Sequence, residues 1–468
     1  MQGLPTGDAL GRTGLATSPA DPRIVYAYID NQGANAAWLA EDDARPSGVL
    51  TPRRFARLTE AAFLDLPRPA LETFWKAYAP DDATLDAAIA DVRSGKAKMS
   101  EIRERLERKS PELFDAGLTL DELYRSEDGG KTFARVSRLG PHGGYYWGKV
   151  YVSPTDANDV WLGGVAMLRS RDGGKTWRET ASETHADHHA VYFDPTRPGK
   201  IWIGNDGGVD LSTNDGLSFR PINNLSVGQA ATLALDPRSN AVYTGLQDNG
   251  TMRGTRAYVP GRSPLDAWKS INGGDGSWVA LDPREDSDLV YAASQFGAHN
   301  AIVQKTGVRY RAAAGRAKGL DMLRYNWISP FLVSSFLPDE VFVGSQYLHR
   351  SFDRGRTWTA ISPDLTRNRP NGDVPYSTIK DASESPLRFG LIYVGADDGR
   401  VTMTPDGGYQ WIDIPTPRPD KWVTRVVASQ HAVGTVYCAQ SGYREDDFSA
   451  YLWRSTDSGK TWTSIVGD

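Results

Sequence analysis

Side chains able to bind polar ligands or move protons recur in one setting in this sequence: just before an apolar run, or just after a strand with an aromatic centre. They include His185-Ala186-Asp187-His188-His189, Asn205-Asp206, Gln247-Asp248-Asn249, Asp275, Trp278, Trp327, Asp397-Asp398 and Trp422. Carboxylates, amides and indoles gathered on one concave surface suit a sugar or a peptide. A local reading competes, because Asp206-Gly207-Gly208 and Asp248-Asn249-Gly250 are also turn-forming sequences. His188 and His189 invite a metal reading, yet neighbours on a strand point to opposite faces, so at most part of the group reaches one ion. No metal and no cofactor is expected. The sequence has no Gly-rich phosphate loop and no Ser-His-Asp elbow. Cys438, within an aromatic strand, reads as a small core residue rather than a nucleophile.

The elements that must position these groups are set by a repeat. An aromatic-centred strand followed by a small residue appears as Ile24-Val25-Tyr26-Ala27, Val160-Trp161-Leu162-Gly163, Ile201-Trp202-Ile203-Gly204 and Val242-Tyr243-Thr244-Gly245, and four more copies follow. After the first copy the aromatic position returns every 41 to 51 residues, whereas the first gap is 135. Such a period, with four strands per unit, is that of propeller blades. A turn, Ser-x-Asp-x-Gly-x-Thr-Trp, marks the hairpin between the last two strands. Its copies contain Ser126 and Asp128, Ser170, Asp172 and Trp177, Ser351, Asp353 and Trp358, and Ser455, Asp457 and Trp462. Their chemistry is structural: carboxylate and hydroxyl bond loop backbone, Gly takes positive φ, and the aromatic packs between blades. The fourth and fifth units lack this box.

The long first gap contains helical periodicity. Thr51-Pro52 reads as a cap and first turn, and Leu85, Ile89 and Val92, then Met99, Ile102 and Leu106, follow helical spacing. We therefore expect an all-β propeller protein of about eight four-stranded units, in one ring or as parts of two tandem propellers. Residues 1–30 and 123–228 supply units one to three, 31–122 form a helical insertion, and 229–468 supply units four to eight. The insertion reads either as a lid or protein-docking arm, or as a solvated decoration.

Composition narrows the partners. The 468 residues are 40% hydrophobic and 24% charged, enough for a folded core. With 53 Lys and Arg against 58 Asp and Glu the net charge is −5, so no basic surface for nucleic acid is expected. One cysteine forbids an intramolecular disulfide. No apolar run is long enough for a membrane span, and Met1 to Ala20 does not read as a signal peptide.

The boxes resemble the Asp-box, or bacterial neuraminidase repeat, of sialidases, sortilin-type receptors and xyloglucan-hydrolysing tandem-propeller glycosidases. Gly3-Leu4-Pro5-Thr6-Gly7, the Asp187 to Gly208 stretch and Gly245-Leu246-Gln247-Asp248-Asn249-Gly250 resemble a bacterial group described as sortilin-like or glycosyl-hydrolase-like. The resemblance implies a longer parent protein and an extracytoplasmic, periplasmic or secreted, location. The xyloglucan-hydrolysing enzymes use paired aspartates, one in an Asp-x-Gly-Gly turn after an aromatic strand. By that resemblance Asp206 is a candidate catalytic residue with Asp248 as a possible partner. An inverting mechanism needs two carboxyls about 6.5–9.5 Å apart. A sialidase is not expected, since no convincing arginine triad with a Tyr-Glu pair is present.

Three functional readings follow. The leading one is recognition of an extracellular polymer, glycan or peptide, through His188, His189, Asn205, Gln247, Asn249, Asp275, Trp278, Trp327, Asp397, Asp398 and Trp422. The second is glycoside hydrolysis by paired aspartates. The third is an interaction scaffold contacting a protein partner through the insertion.

Overall fold

In the computed structural model, residues 2–35, 50–79, 84–107, 118–144, 146–222, 227–256, 267–316, 319, 321–369 and 375–467 are described. The chain divides into two compact units, Met1–Ile222 and Asn223–Asp468.

The first unit holds three four-stranded sheets. They are β1 (Leu10–Ser18), β2 (Asp21–Ala34), β3 (Leu118–Ser126) and β4 (Ala134–Gly140); β5 (Val150–Val152), β6 (Val160–Leu162), β7 (Met167–Ser170) and β8 (Arg178–Thr180); and β9 (His188–Phe193), β10 (Ile201–Asn205), β11 (Gly208–Ser212) and β12 (Arg220–Pro221). The second unit holds five. They are β13 (Ala230–Leu235), β14 (Ala241–Leu246), β15 (Gly250–Thr255) and β16 (Lys269–Asn272); β17 (Val279–Leu281), β18 (Leu289–Ser294), β19 (Ala298–Val303) and β20 (Arg309–Arg311); β21 (Phe331–Val333), β22 (Val341–Gly344), β23 (Leu348–Ser351) and β24 (Thr359–Ala360); β25 (Ile379–Glu384), β26 (Ile392–Ala396), β27 (Val401–Thr404) and β28 (Ile412–Ile414); and β29 (Trp422–Ala428), β30 (Val436–Gly442), β31 (Asp447–Ser455) and β32 (Thr463–Ser464). Every sheet is an antiparallel meander in chain order, the topology of a propeller blade. First strands pack on first strands along the second unit, β13 on β17, β17 on β21, β21 on β25 and β25 on β29.

The repeat now has a physical cause. In β22 and β26, second strands of their blades, Val341 to Gly344 and Ile392 to Ala396 are all buried, and alternation gives way to a continuous apolar run, whereas β30 still alternates. The small residue ends that run because the next blade's first strand crosses there. A Cβ on Gly344 would meet Ile379 at 2.7 Å, and one on Gly395 would meet Val423 at 2.4 Å.

The Ser-x-Asp hairpins share one bonding scheme. Ser170 Oγ donates to Asp172 Oδ1 (2.8 Å), and that oxygen accepts the Lys175 and Thr176 amides (3.0 and 2.9 Å). The second oxygen accepts Thr176 Oγ1 at 2.6 Å. Ser126 with Asp128, Ser351 with Asp353 and Ser455 with Asp457 repeat the Ser–Asp bond. The indoles bond across to the preceding sheet in two places, Trp177 Nε1 to Ser137 Oγ (3.2 Å) and Trp462 Nε1 to Pro415 O (2.8 Å). Trp358 Nε1 instead closes on Gly355 O (3.0 Å).

Among the described residues between β2 and β3 lie five helices: α1 (Pro52–Ala56), α2 (Glu60–Asp65), α3 (Arg68–Tyr78), α4 (Leu85–Arg93) and α5 (Met99–Glu107). Thr51, Thr59 and Thr84 cap α1, α2 and α4 through their hydroxyl oxygens. Phe55, Phe63, Leu71, Phe74, Ile102 and Leu106 form a core of the helices' own, with Phe55 stacked on Phe74 at 4.8 Å. The limits of 31 and 122 are corrected inward, because Asn31 pairs with Leu120 and Ala34 with Leu118, so the flanking strands run into the insertion. Among the described residues no helix is long and apolar enough to cross a membrane.

Candidate functional site

In the first unit, His189, Asp206 and Asp187 come together. β9 pairs with β10 through Val191↔Ile203 and Ala190↔Gly204, but Asn205 pairs with His188, so His189 is the extra residue of a β-bulge. A bulge re-aims the side chain it carries. Here His189 Nε2 lies 2.9 Å from Asp206 Oδ1. Asp206 occupies the two-residue turn between β10 and β11, and Asn205 shapes that turn by accepting the Gly207 amide (3.0 Å) while donating to Asp210 Oδ2 (2.8 Å). Asp187 sits in the left-handed region at φ 63°, its amide bonded to Val165 O at 3.1 Å. Its carboxylate has an oxygen within 4.8 Å of one on Asp206. Burial, and then the charge of Asp206, push the Asp187 carboxyl above its ordinary range.

Aromatic rings back this group. Tyr146 and Trp147 lie 5.9 and 6.1 Å from the His189 ring, centroid to centroid. Trp147 also lines an open groove of about 840 Å³ with Asp30, Gln32, Asp121, His142 and Val165. Asp121 Oδ2 accepts the amides of His142 (2.9 Å) and Gly144 (3.0 Å), which folds the β4–β5 loop over the groove. The Trp147 indole N–H is buried and finds no hydrogen-bond partner among the described residues.

His188 does not join this surface. It is 3% exposed, its Nε2 lies 3.0 Å from Thr184 Oγ1, and burial pushes its pKa down, so the ligand-facing role expected of it is corrected to an internal one. Tyr146, Trp147, His142 and Asp121 were missed by sequence reasoning. The signal available was Pro141-His142-Gly143-Gly144 leading into Tyr146-Trp147, a glycine and aromatic segment outside any repeat element.

The remaining expected residues belong to the second unit. Asp248, at φ 64°, donates its amide to Asp275 Oδ1 (3.1 Å), and the Asp275 amide in turn bonds Gln295 Oε1 (3.0 Å). Gln247 accepts from Gln229 (3.3 Å) and Asn249 donates to Gln247 O (3.3 Å), so these three loop residues form one bonded corner. Trp327 is 38% exposed and meets Phe296 edge to face at 5.0 Å.

Two placements, those of Asp397 and Asp398, correct the expectation of ligand-facing side chains. Asp397 is fully buried and accepts Thr378 N (2.9 Å) and Asn326 Nδ2 (3.0 Å); burial raises its carboxyl to about 6. Asp398, equally buried, accepts Ser377 Oγ (2.8 Å) and the Arg367 amide (2.6 Å). Trp278 packs against the core around Tyr291 and Phe331, with the Arg425 guanidinium 5.1 Å from its ring. Trp422 has Arg444 at 3.8 Å over its ring and Tyr376 stacked at 5.9 Å. Asp397 and Asp398 thus find, in loops of their own unit, the partners that a ligand was expected to supply.

No protein-family model matches the chain. A probable oligoxyloglucan-reducing end-specific xyloglucanase of Neosartorya fischeri is 30% identical over 154 residues, 31% of this chain and 18% of that protein. A xyloglucanase of a Paenibacillus species is 23% identical over 342 residues, 69% of this chain and 29% of that protein. The chain thus spans less than a third of the length of either relative. Among solved structures, the Niastella koreensis GH74 enzyme aligns over 99% of this chain and 86% of its own, at 14% identity and TM-score 0.24. YCF48 from Cyanidioschyzon merolae aligns over 62% of this chain and 91% of its own, at 15% identity and TM-score 0.32.

Proposed function

We propose that this chain is a portion of an extracytoplasmic, glycoside hydrolase-like Asp-box propeller protein that recognises a polysaccharide on the loop surface of its first unit. The observation that carries the reading is the group formed by His189, Asp206 and Asp187 beside Tyr146 and Trp147. Sugars offer hydroxyls to carboxylates and apolar ring faces to aromatics, and this surface presents both. The named activity of the two sequence relatives supports a xyloglucan-type β-glucan as the first ligand to try.

Hydrolysis is a second reading, favoured by the two neighbouring carboxylates with Asp187 raised. A carboxyl raised by burial beside a second carboxylate is the pattern of a proton donor and its companion. In this reading Asp187 donates to the glycosidic oxygen, and Asp206, oriented by His189, acts on the other side. Their oxygens stand closer than the roughly 6.5–9.5 Å of an inverting pair, so this reading pairs with a retaining outcome.

Binding and product release on xyloglucan, mixed-linkage β-glucan and sialylated glycans test both readings, using the wild-type chain, Trp147→Ala, Asp187→Asn and Asp206→Asn. Binding lost in Trp147→Ala supports recognition. Product formed by wild type and lost in Asp187→Asn while binding persists supports hydrolysis. No binding to any glycan overturns the proposal.

A further inference from the structure

The absence of a Ser-x-Asp box from the fifth repeat leaves a mark on the second unit. Elsewhere the box hairpin seats against the outer strands of the preceding sheet. A Cβ on Gly355 would meet Ala312 at 2.9 Å, one on Gly459 would meet Ile414 at 2.5 Å, and Tyr310 Oη donates to Arg354 O at 3.0 Å. β19 instead turns into β20 through Gln304-Lys305-Thr306-Gly307, closed by Val303 N to Val308 O and Gly307 N to Val303 O, both 2.8 Å. This turn carries no aromatic. The space that a box would occupy against β14, β15 and β16 is an open cleft of about 620 Å³.

The cleft has an apolar floor of Tyr243, Ile271, Val290 and Ile302. Five cations border it, and four of them, Arg253, Lys269, Lys305 and Arg309, have no ion pair among the described residues. The two guanidiniums are held in place, Arg253 Nε by Tyr243 Oη (3.0 Å) and Arg309 Nη2 by Ile271 O (3.3 Å), each with further N–H groups to spare. Lys269 and Lys305 are exposed, and neither ammonium has an ion-pair partner among the described residues. Arg238, the fifth cation there, is committed to Asp236 at 2.8 Å and to backbone carbonyls.

We propose that this cleft binds a saccharide bearing an oxyanion, a uronate carboxylate or a sulfate ester. Cations fixed by an aromatic ring and a backbone carbonyl match a planar or tetrahedral oxyanion. Ser270, Gln304 and the apolar floor suit hydroxyls and a ring face. Asp236, Glu285, Asp286 and Asp288 also border the cleft; Asp236 is paired with Arg238, and the other carboxylates accept from sugar hydroxyls, which a polyglutamate chain lacks, so a saccharide is favoured over an acidic peptide. None of His189, Asp206, Asp187, Tyr146 and Trp147 lines it, so the cleft is a different set of residues from the first unit's surface.

The test uses the full chain titrated with galacturonate oligomers, heparin-derived oligosaccharide, neutral cello-oligosaccharide and polyglutamate. Lys269→Glu/Lys305→Glu carries the charge reversal and Ser270→Trp occludes the cleft, with the melting temperature of each variant confirming its fold. We expect an acidic saccharide to bind the wild type, to weaken about tenfold in either folded variant, and to weaken further at high salt. Galacturonate against heparin distinguishes carboxylate from sulfate. The proposal is overturned if no acidic saccharide binds, if neutral saccharide or polyglutamate binds equally well, or if binding survives in a folded variant. Should the charge-reversed variant not fold, Ser270→Trp decides.

Discussion

His189 Nε2 meets Asp206 Oδ1 at 2.9 Å only because His189 is the unpaired residue of a bulge in β9. Regular pairing would place His189 opposite Asn205 and turn its ring with the strand's alternation. The same device recurs in the second unit, where Lys380 is the extra residue between Ile379 and Asp381. The insertion of one residue into a blade's first strand thus decides which side chain reaches the end of the blade.

If that contact orients the ligand-binding group, His189→Ala and Asp206→Asn each weaken glycan binding by about tenfold, or about 1.4 kcal/mol. The double variant adds little to either, because the two act as one unit. A double-mutant cycle by calorimetry measures this, and full additivity would count against the coupling.

The box aspartates hold their hairpins through several donors at once. Burial raises the Asp353 carboxyl, but the Thr357 amide and the Thr357 and Ser351 hydroxyls outweigh it and bring it down to about 2. Its contribution is therefore present above the unfolded value near 4 and lost as pH falls through about 2. Asp353→Ala is expected to cost about 2 kcal/mol at neutral pH, the net worth of a few bonds at a partly exposed turn, and to cost less in acid. Denaturant melts at pH 7 and pH 3 compare the two.

Glu340 behaves in the opposite sense. It is 1% exposed, its Oε2 has no hydrogen-bond partner among the described residues, and burial together with the Glu384 charge raises it to about 6 despite Arg350 at 3.8 Å. The folded state holds this proton more tightly than the unfolded chain, so stability falls as pH rises from about 4.5 through about 6. Glu340→Gln is expected to stabilise by about 1–2 kcal/mol at pH 7 and to be near neutral at pH 4. An unchanged melting temperature at pH 7 sinks this account.

The helical insertion packs its buried residues on one another. Phe74→Ala, which removes the ring stacked on Phe55, is expected to cost that core about 3–5 kcal/mol. The helical circular dichroism signal then melts before the β signal, while the ligand-binding surface of the first unit persists. Loss of both together would place the insertion within the cooperative fold of the blades.

Much of the architecture was legible because it is repetitive and local. The aromatic strand, the small residue after it and the Ser-x-Asp turn recur because they do the same packing and turn-forming work in each sheet that carries them. The threonine caps and helical spacing likewise act within a few residues. The candidate surface was only half legible. Asp206 and His189 stood out by type, but the bulge that joins them, the left-handed Asp187 and the Tyr146-Trp147 pair beside them depend on strand register and on loops from separate sheets. Asp397, Asp398, Trp278 and Trp422 look the same in sequence as ligand-facing groups. Which of them met a Thr378 hydroxyl, an Arg444 guanidinium or open solvent was decided by packing between strands distant in the chain, and residue type and spacing carry no information about such partners.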